Sequence, residues 1–337
     1  MNPASVFQES DSNFHIDCID VGHGSAIVIA NGSRATMIDT GPGGPILEYL
    51  RTAGIKEIDT VILSHADQDH IAGLVAMLDA GFRVRQIVLN ADSAKKSKLW
   101  KSLVYSLDAI KRTGATTSII EAIEEVKIQT VSERAYLEVL APRLRIAKLG
   151  SGSDDLEGNA LETNTMSVVV MIRVDNRPLL LFTGDIDATG CDHLFDSGVS
   201  LEADYLVLPH HGGLMGSAVR TRAAIRDLCE KVSPKQIFIS NGRSRYDNPQ
   251  RIVISEIRKI LPTIPIACAQ LSTRCSANGG PAEQSEVTPF SQGRSQGFSC
   301  AGSIRLTDSD GITSLRDNSA HAAYLDAHAP TALCRQN

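Results

Sequence analysis

Aromatic residues are scarce in this chain, at 4% of 337 residues with a single Trp. A core that cannot draw on large rings must be built from Val, Ile, Leu and Ala. Long apolar runs are missing too. None approaches the ~18–20 consecutive apolar residues of a membrane-spanning helix. The opening segment MNPASVFQESDSNF has no basic patch followed by an apolar stretch, so it does not read as an export signal. The expectation is a cytoplasmic chain without membrane segments. Excess positive charge is also absent, the formal net charge being −6. That argues against a broad electrostatic DNA binder but leaves room for a local basic groove. The seven cysteines are odd in number and scattered. They lack the Cys-x-x-Cys pairing of common zinc sites and fit reduced thiols better than a disulfide framework.

What is present is an ordinary globular mix, 42% hydrophobic and 21% charged. Residues 14–20 alternate as a strand. The runs 25–30 and 34–39 flank Asn31-Gly32, a strong hairpin signal. DTVILSH at 59–65 is a nearly continuous apolar run, as in a strand buried on both faces. The segment 71–81 then has helical spacing and ends on glycine. The second half repeats the style. A strand pair is expected at 166–174 and 178–184, then strands at 203–209, 235–240 and 264–270 alternating with helices at 217–231 and 250–260. Strand pairs mixed with strand–helix units fit an α/β (α+β) layered sandwich with helices outside two sheets. The expected organisation is a flexible N-terminus at 1–13, one domain over 14–270 and a partly disordered loop and hairpin extension at 271–337.

The sharpest segment is Ser64-His65-Ala66-Asp67-Gln68-Asp69-His70, where a buried strand gives way to a helix. His65, Asp67 and Asp69 alternate, so an extended turn can point all three one way, and His70 opens the helix. Imidazole and carboxylate together suit Zn²⁺, Mn²⁺ or Fe²⁺. A helix cap explains one Asp but not two His and two Asp at this spacing. Two further segments also end apolar strands. Thr183-Gly184-Asp185 offers a carboxylate able to bridge two metals. Pro209-His210-His211-Gly212 offers adjacent imidazoles, one for a metal and the other for a proton.

Together these residues resemble the metallo-β-lactamase-fold hydrolases. Their usual His-x-His-x-Asp-His motif has Asp67 here in place of its second His. That replacement resembles one branch, the hydrolase domain of DNA-internalisation competence proteins and their soluble relatives. Asp20-Val21-Gly22-His23-Gly24-Ser25, Ile38-Asp39-Thr40-Gly41, Asn164-x-x-Ser167, Thr183-Gly184-Asp185 and Pro209-His210-His211-Gly212 follow in the branch's order, over roughly 15–260. The departures are His23 for Gln, Ser25 for Asp and Asn248 for His. The resemblance implies an αββα sandwich, two mixed sheets flanked by helices, holding one or two divalent ions, Zn or Mn. It implies His65 and Asp67 on the first ion and Asp69 and His70 on the second, with Asp185 bridging and His210 completing the set. The first site is then the poorer in nitrogen. Asp39 would orient ligands rather than bind metal. His211 is expected as proton donor or phosphate contact, its role not separable from that of His210. His23, Asn164, Ser167 and Asn248 would touch substrate or orient ligands.

Two metals sharing a carboxylate lower the pKa of water and give hydroxide near neutral pH, with Asp69 and His211 expected at the reacting centre. The branch implies phosphodiester cleavage, with nucleic acid the first substrate. The basic stretch Lys95, Lys96, Lys98, Lys101, Lys111 and Arg112 is either a solvated helix face or a contact for it. Two alternatives stay open. One is a degenerate, non-catalytic module that binds protein partners in a multi-component system such as a defence system. The other is an esterase for a small phosphodiester. The oligomeric state is not readable.

Overall fold

The computed structural model describes residues 14–90, 95–112, 117–124, 126–129, 132, 134–243, 246–281, 290–308, 312–314 and 318–335. The expected flexible segment at 1–13 lies outside them, as does part of the expected disorder beyond 271. The first half runs β1 (Phe14–Cys18), β2 (Ile27–Asn31), β3 (Arg34–Ile38), α1 (Gly44–Thr52), β4 (Glu57–Ile62), α2 (Gln68–Asp79), β5 (Val84–Asn90), α3 (Lys98–Arg112) and β6 (Ser118–Ala122). There follow β7 (Lys127–Gln129), β8 (Ala135–Ala141), α4 (Leu144–Leu149), β9 (Val169–Val174), β10 (Arg177–Phe182), α5 (Ala188–Phe195), β11 (Tyr205–Val207) and α6 (Ala218–Val232). The chain continues through β12 (Gln236–Ile239), α7 (Arg251–Ile260), β13 (Ile266–Cys268), β14 (Ile304–Asp308), β15 (Ile312–Ser314) and α8 (Asn318–His328).

The strands form two mixed sheets, ordered β15-β14-β1-β2-β3-β4-β5-β6 and β13-β12-β11-β10-β9-β8-β7. Asn31 and Gly32 turn the expected hairpin, with Ile27 opposite Ile38 across β2 and β3. β3 through β6 then run parallel, as do β10 through β13. Each half is thus an antiparallel hairpin followed by a parallel run.

Side-chain alternation divides the core into layers. Val168, Val170, Ile172 and Val174 point between the sheets, where they meet Ile27, Ile29 and Ile62. Val169 and Met171, one residue out of phase, point to the helices packed on the second sheet. Val28, Met37 and Val61 likewise face the helices on the first sheet. Burying each such side chain stabilises the fold by roughly 1.5–3 kcal/mol. The result is the expected αββα sandwich.

Described residues beyond 271 pack onto this body. β14 pairs antiparallel with β1, Cys18 opposite Ile304. Arg305 meets the buried Asp17 carboxylate with two hydrogen bonds, of 2.6 and 2.7 Å, and Tyr49 donates to the same carboxylate at 2.7 Å. Leu325, Ala329 and Leu333 enter the core of the second sheet. An apolar edge at β1 and a buried anion both need covering, and the last part of the chain covers them. No described helix is long and apolar enough to cross a membrane.

Candidate metal centre

The strand ends carry the site. β4 delivers Ser64 through His70, β10 delivers Asp185, and β11 delivers His210 and His211. Main-chain bonds hold these turns together across the sheets. Val168 N donates to Ser64 O at 2.8 Å, and Thr40 N to His70 O at 2.9 Å. Gly184 sits at φ +53°, and a Cβ there would meet Ser167 Oγ at 2.4 Å. The tight turn lets Ser167 Oγ accept the Asp185 N–H at 2.9 Å, which aims the carboxylate inward. Asp39, His210 and His211 all adopt left-handed backbone, at φ 55°, 54° and 54°. Such strain costs on the order of 1–3 kcal/mol per residue and persists only where the surroundings enforce it.

A relay of hydrogen bonds fixes the imidazoles. Asp39 Oδ1 accepts from Ser64 N at 2.7 Å, and Oδ2 accepts from Ser64 Oγ and from His70 Nδ1, each at 2.6 Å. Ser64 Oγ, its proton spent on Asp39, is left to accept from His65 Nδ1 at 3.0 Å. His211 Nδ1 donates to the Ser240 carbonyl at 2.6 Å. Each of these Nδ1 atoms therefore carries a proton, and Nε2 is the nitrogen left to meet a cation, its lone pair available once any second proton has left. Ligating histidines are oriented in this way, with the distal N–H given to a carboxylate, hydroxyl or carbonyl.

Those three Nε2 atoms, of His65, His70 and His211, are buried without a hydrogen-bond partner. They converge on Asp185, at 3.7 Å for His65, 3.5 Å for His70 and 3.4 Å for His211. Metal–ligand bonds of about 2.0–2.2 Å put neighbouring tetrahedral ligands about 3.3–3.5 Å apart. The spacing is close to that of ligands around a cation and too long for hydrogen bonds. The donor set of imidazole and carboxylate suits Zn²⁺ and Mn²⁺ alike.

The side chains fall into two triads whose ligand atoms lie within 4.8 Å of one another, His65, His70 and Asp185 in one and His23, Asp69 and His211 in the other. This redraws the expected division. His70 sits with His65 rather than with Asp69, so the triad nearest the expected first site has two nitrogens. Asp67 stands outside both triads, 3.8 Å from His65 Nε2 and paired with Lys95. The family resemblance put His65 with Asp67, but the turn leaves the Asp67 side chain 37% exposed on the cavity wall, beside the triads rather than within one. His210, expected as a ligand, is also outside both triads, while His211 takes the inward place. The left-handed turn rotates successive side chains apart, which the dipeptide alone cannot reveal. Asn164, Asn248 and His210 line a cavity of about 370 Å³ with His23, Asp69 and Asp185, and Tyr246, Leu214 and Gln250 also line it.

Charge follows the same arrangement. Burial pushes the His65 imidazole down to about 4. Burial opposes charge on His70 as well, but Asp185 and Asp39 outweigh it and hold His70 well above its ordinary value. His211 is raised against its own burial by Asp185. Burial would raise Asp185, yet His211 and His70 hold it well below the usual carboxylate range.

A family model for the metallo-beta-lactamase superfamily matches residues 19–236. The chain belongs to that superfamily. It is 25% identical over 272 residues to ComE operon protein 3 of Bacillus subtilis (strain 168), covering 74% of this chain and 31% of that protein. It is also 25% identical over 245 residues to competence protein ComA of Neisseria gonorrhoeae, covering 71% of this chain and 29% of that one. The chain thus spans about a third of the length of these relatives. Unliganded yeast PDE1 shares the fold at a TM-score of 0.50 and 10% identity, with 76% of this chain and 97% of that chain covered. Members of this superfamily are mostly metal-dependent hydrolases, and a His/Asp cluster able to hold one or two divalent ions is present here.

Proposed function

We propose that this chain is a metal-dependent phosphodiesterase, with nucleic acid as its first candidate substrate. The observation that carries the reading is the convergence of three unpaired, buried Nε2 atoms on the Asp185 carboxylate. Divalent ions bound there supply Lewis acidity, which activates water near neutral pH and offsets charge on a phosphoryl oxygen. The chain's own residues do the rest. Asp39, Ser64 and the Ser240 carbonyl keep the imidazoles pointed inward. Asp185 and Asp69 hold negative charge on the cavity lining. His210, half-buried at the wall with Nδ1 unpaired, is the group placed to hand a proton to a leaving oxygen.

Two features favour an anionic polymer over a small ester. Lys95, paired with Asp67, brings the start of the basic stretch to the cavity rim. One relative is named a competence protein, which, with the resemblance to DNA-internalisation proteins, recommends DNA as the first polymer to try. The expected cytoplasmic setting and protein partners belong to the same proposal. The test is metal content followed by cleavage of bis-p-nitrophenyl phosphate, DNA and RNA with Mn²⁺ and with Zn²⁺. Cleavage that disappears in Asp185→Asn supports the reading. A wild type that holds no metal and cleaves none of the three would replace it with a non-catalytic binding module.

A further inference from the structure

We infer that His23 is a metal ligand, which with Asp69 and His211 makes a second cation seat at the mouth of the site. The inference rests on the metal-dependent reading above and adds a residue to it from a different part of the chain. His23 comes from the loop between β1 and β2, not from a strand end beside Asp185. Its Nε2 lies 3.2 Å from Asp69 Oδ2, and His211 Nε2 lies 3.7 Å from the same oxygen. The His23 side chain is only 9% exposed, and its Nδ1 is buried without a partner. Its ring sits 4.6 Å from that of His211 and 4.5 Å from that of Tyr246, centre to centre.

The loop is built to hold this ring in place. The buried Asp20 carboxylate accepts from Gly22 N at 3.1 Å, Gln270 Nε2 at 2.9 Å and Gly293 N at 3.0 Å. Ser25 N donates to Asp69 O at 3.2 Å. A Cβ on Gly24 would meet that same Asp69 oxygen at 2.4 Å, and one on Gly242 would meet His23 N at 2.2 Å. Two glycines thus let the His23 backbone be clamped between the Asp69 turn and the segment after β12. Restraint on this scale is what a ligand of fixed geometry needs.

A ligand must be told apart from a hydrogen-bond donor that merely orients Asp69. His23→Gln does so, because a Gln amide can still donate to Asp69 but is a poor ligand for Zn²⁺. Zn²⁺ and Mn²⁺ titrations by calorimetry give the stoichiometry, and ¹⁵N-histidine spectra of the Zn²⁺-loaded protein count the coordinated rings. The expected result is two ions on the wild type. His23→Gln should keep one ion tightly and lose affinity for the other by more than about 10-fold, the lower end of what even an orienting neighbour contributes. The metal-free variants should melt alike, which separates ligand loss from misfolding. If His23→Gln still takes up both ions with unchanged affinity, or the wild-type His23 resonance does not move on loading, the inference fails while the hydrolase reading survives. A wild type holding one ion also defeats the inference alone. A wild type holding none defeats both.

Discussion

The two triads differ in how they are supported. His65 and His70 are fully buried, and a single carboxylate, Asp39, fixes one directly and the other through Ser64. The triad of His23, Asp69 and His211 lies at the cavity mouth, with the Asp69 side chain 18% exposed and the imidazoles drawn from distant loops. A deep, preorganised seat favours tight holding, whereas a seat on the wall can exchange its ion and meet substrate. Asp185 lies between them, 3.5 Å from His70 and 3.4 Å from His211.

The largest effect is expected from Asp185→Asn, which removes the charge both triads share. Ion binding at both should weaken together and hydrolysis should fall to background, as read by calorimetry and a phosphodiester assay. An undiminished second ion would show that the triads are independent. Asp39→Asn should be more selective. It loosens His70 and His65 but touches neither His23 nor His211, so affinity should fall about 10–100-fold for the inner ion only. An equal loss at both seats would dissolve the distinction.

Proton linkage sharpens the comparison further. His70 is held above its ordinary value of 6.5 by Asp185 and Asp39 despite burial, and so carries a proton at neutral pH. In the metal-free protein the stability this brings is complete below the unfolded value and lost as pH rises through the raised one. His65, pushed to about 4 by burial, works the other way, its contribution lost as pH falls from its ordinary value toward 4. Metal binding must displace the His70 proton. Calorimetry in buffers of different ionisation enthalpy should therefore register proton release near neutral pH, with affinity rising as pH rises. The smallest effect is expected from Lys95→Ala. Its pair with Asp67 is half-exposed, at 27% and 37%. Thermal stability should change by less than about 1 kcal/mol. Cleavage of a nucleic acid should weaken and become less salt-dependent, with bis-p-nitrophenyl phosphate unaffected.

Much of this was legible in the residues. The Asn31-Gly32 hairpin, the apolar run into β4 and the strand–helix alternation of the second half all rest on local chemistry. So does the density of His and Asp at 65–70. Other elements were not legible. α8 (NSAHAAYLDAH) has no apolar stripe, and its place is set by the core its Leu325 joins. β8 pairs with β9 across a long polar loop, so its partner is remote in sequence.

The sequence by itself determined the sandwich, because side-chain period and strand-end polarity are local properties that survive translation into layers. It also determined that a metal-binding chemistry sits at those strand ends. Which imidazole stands beside which carboxylate was left to the tertiary structure. A left-handed backbone at 210–211 turns one histidine in and the other aside. A clamped loop carries His23 to Asp69 across 46 residues of chain, the difference between their positions. Coordination depends on distances of a few tenths of an ångström between groups remote in sequence, and only the packed fold sets those distances.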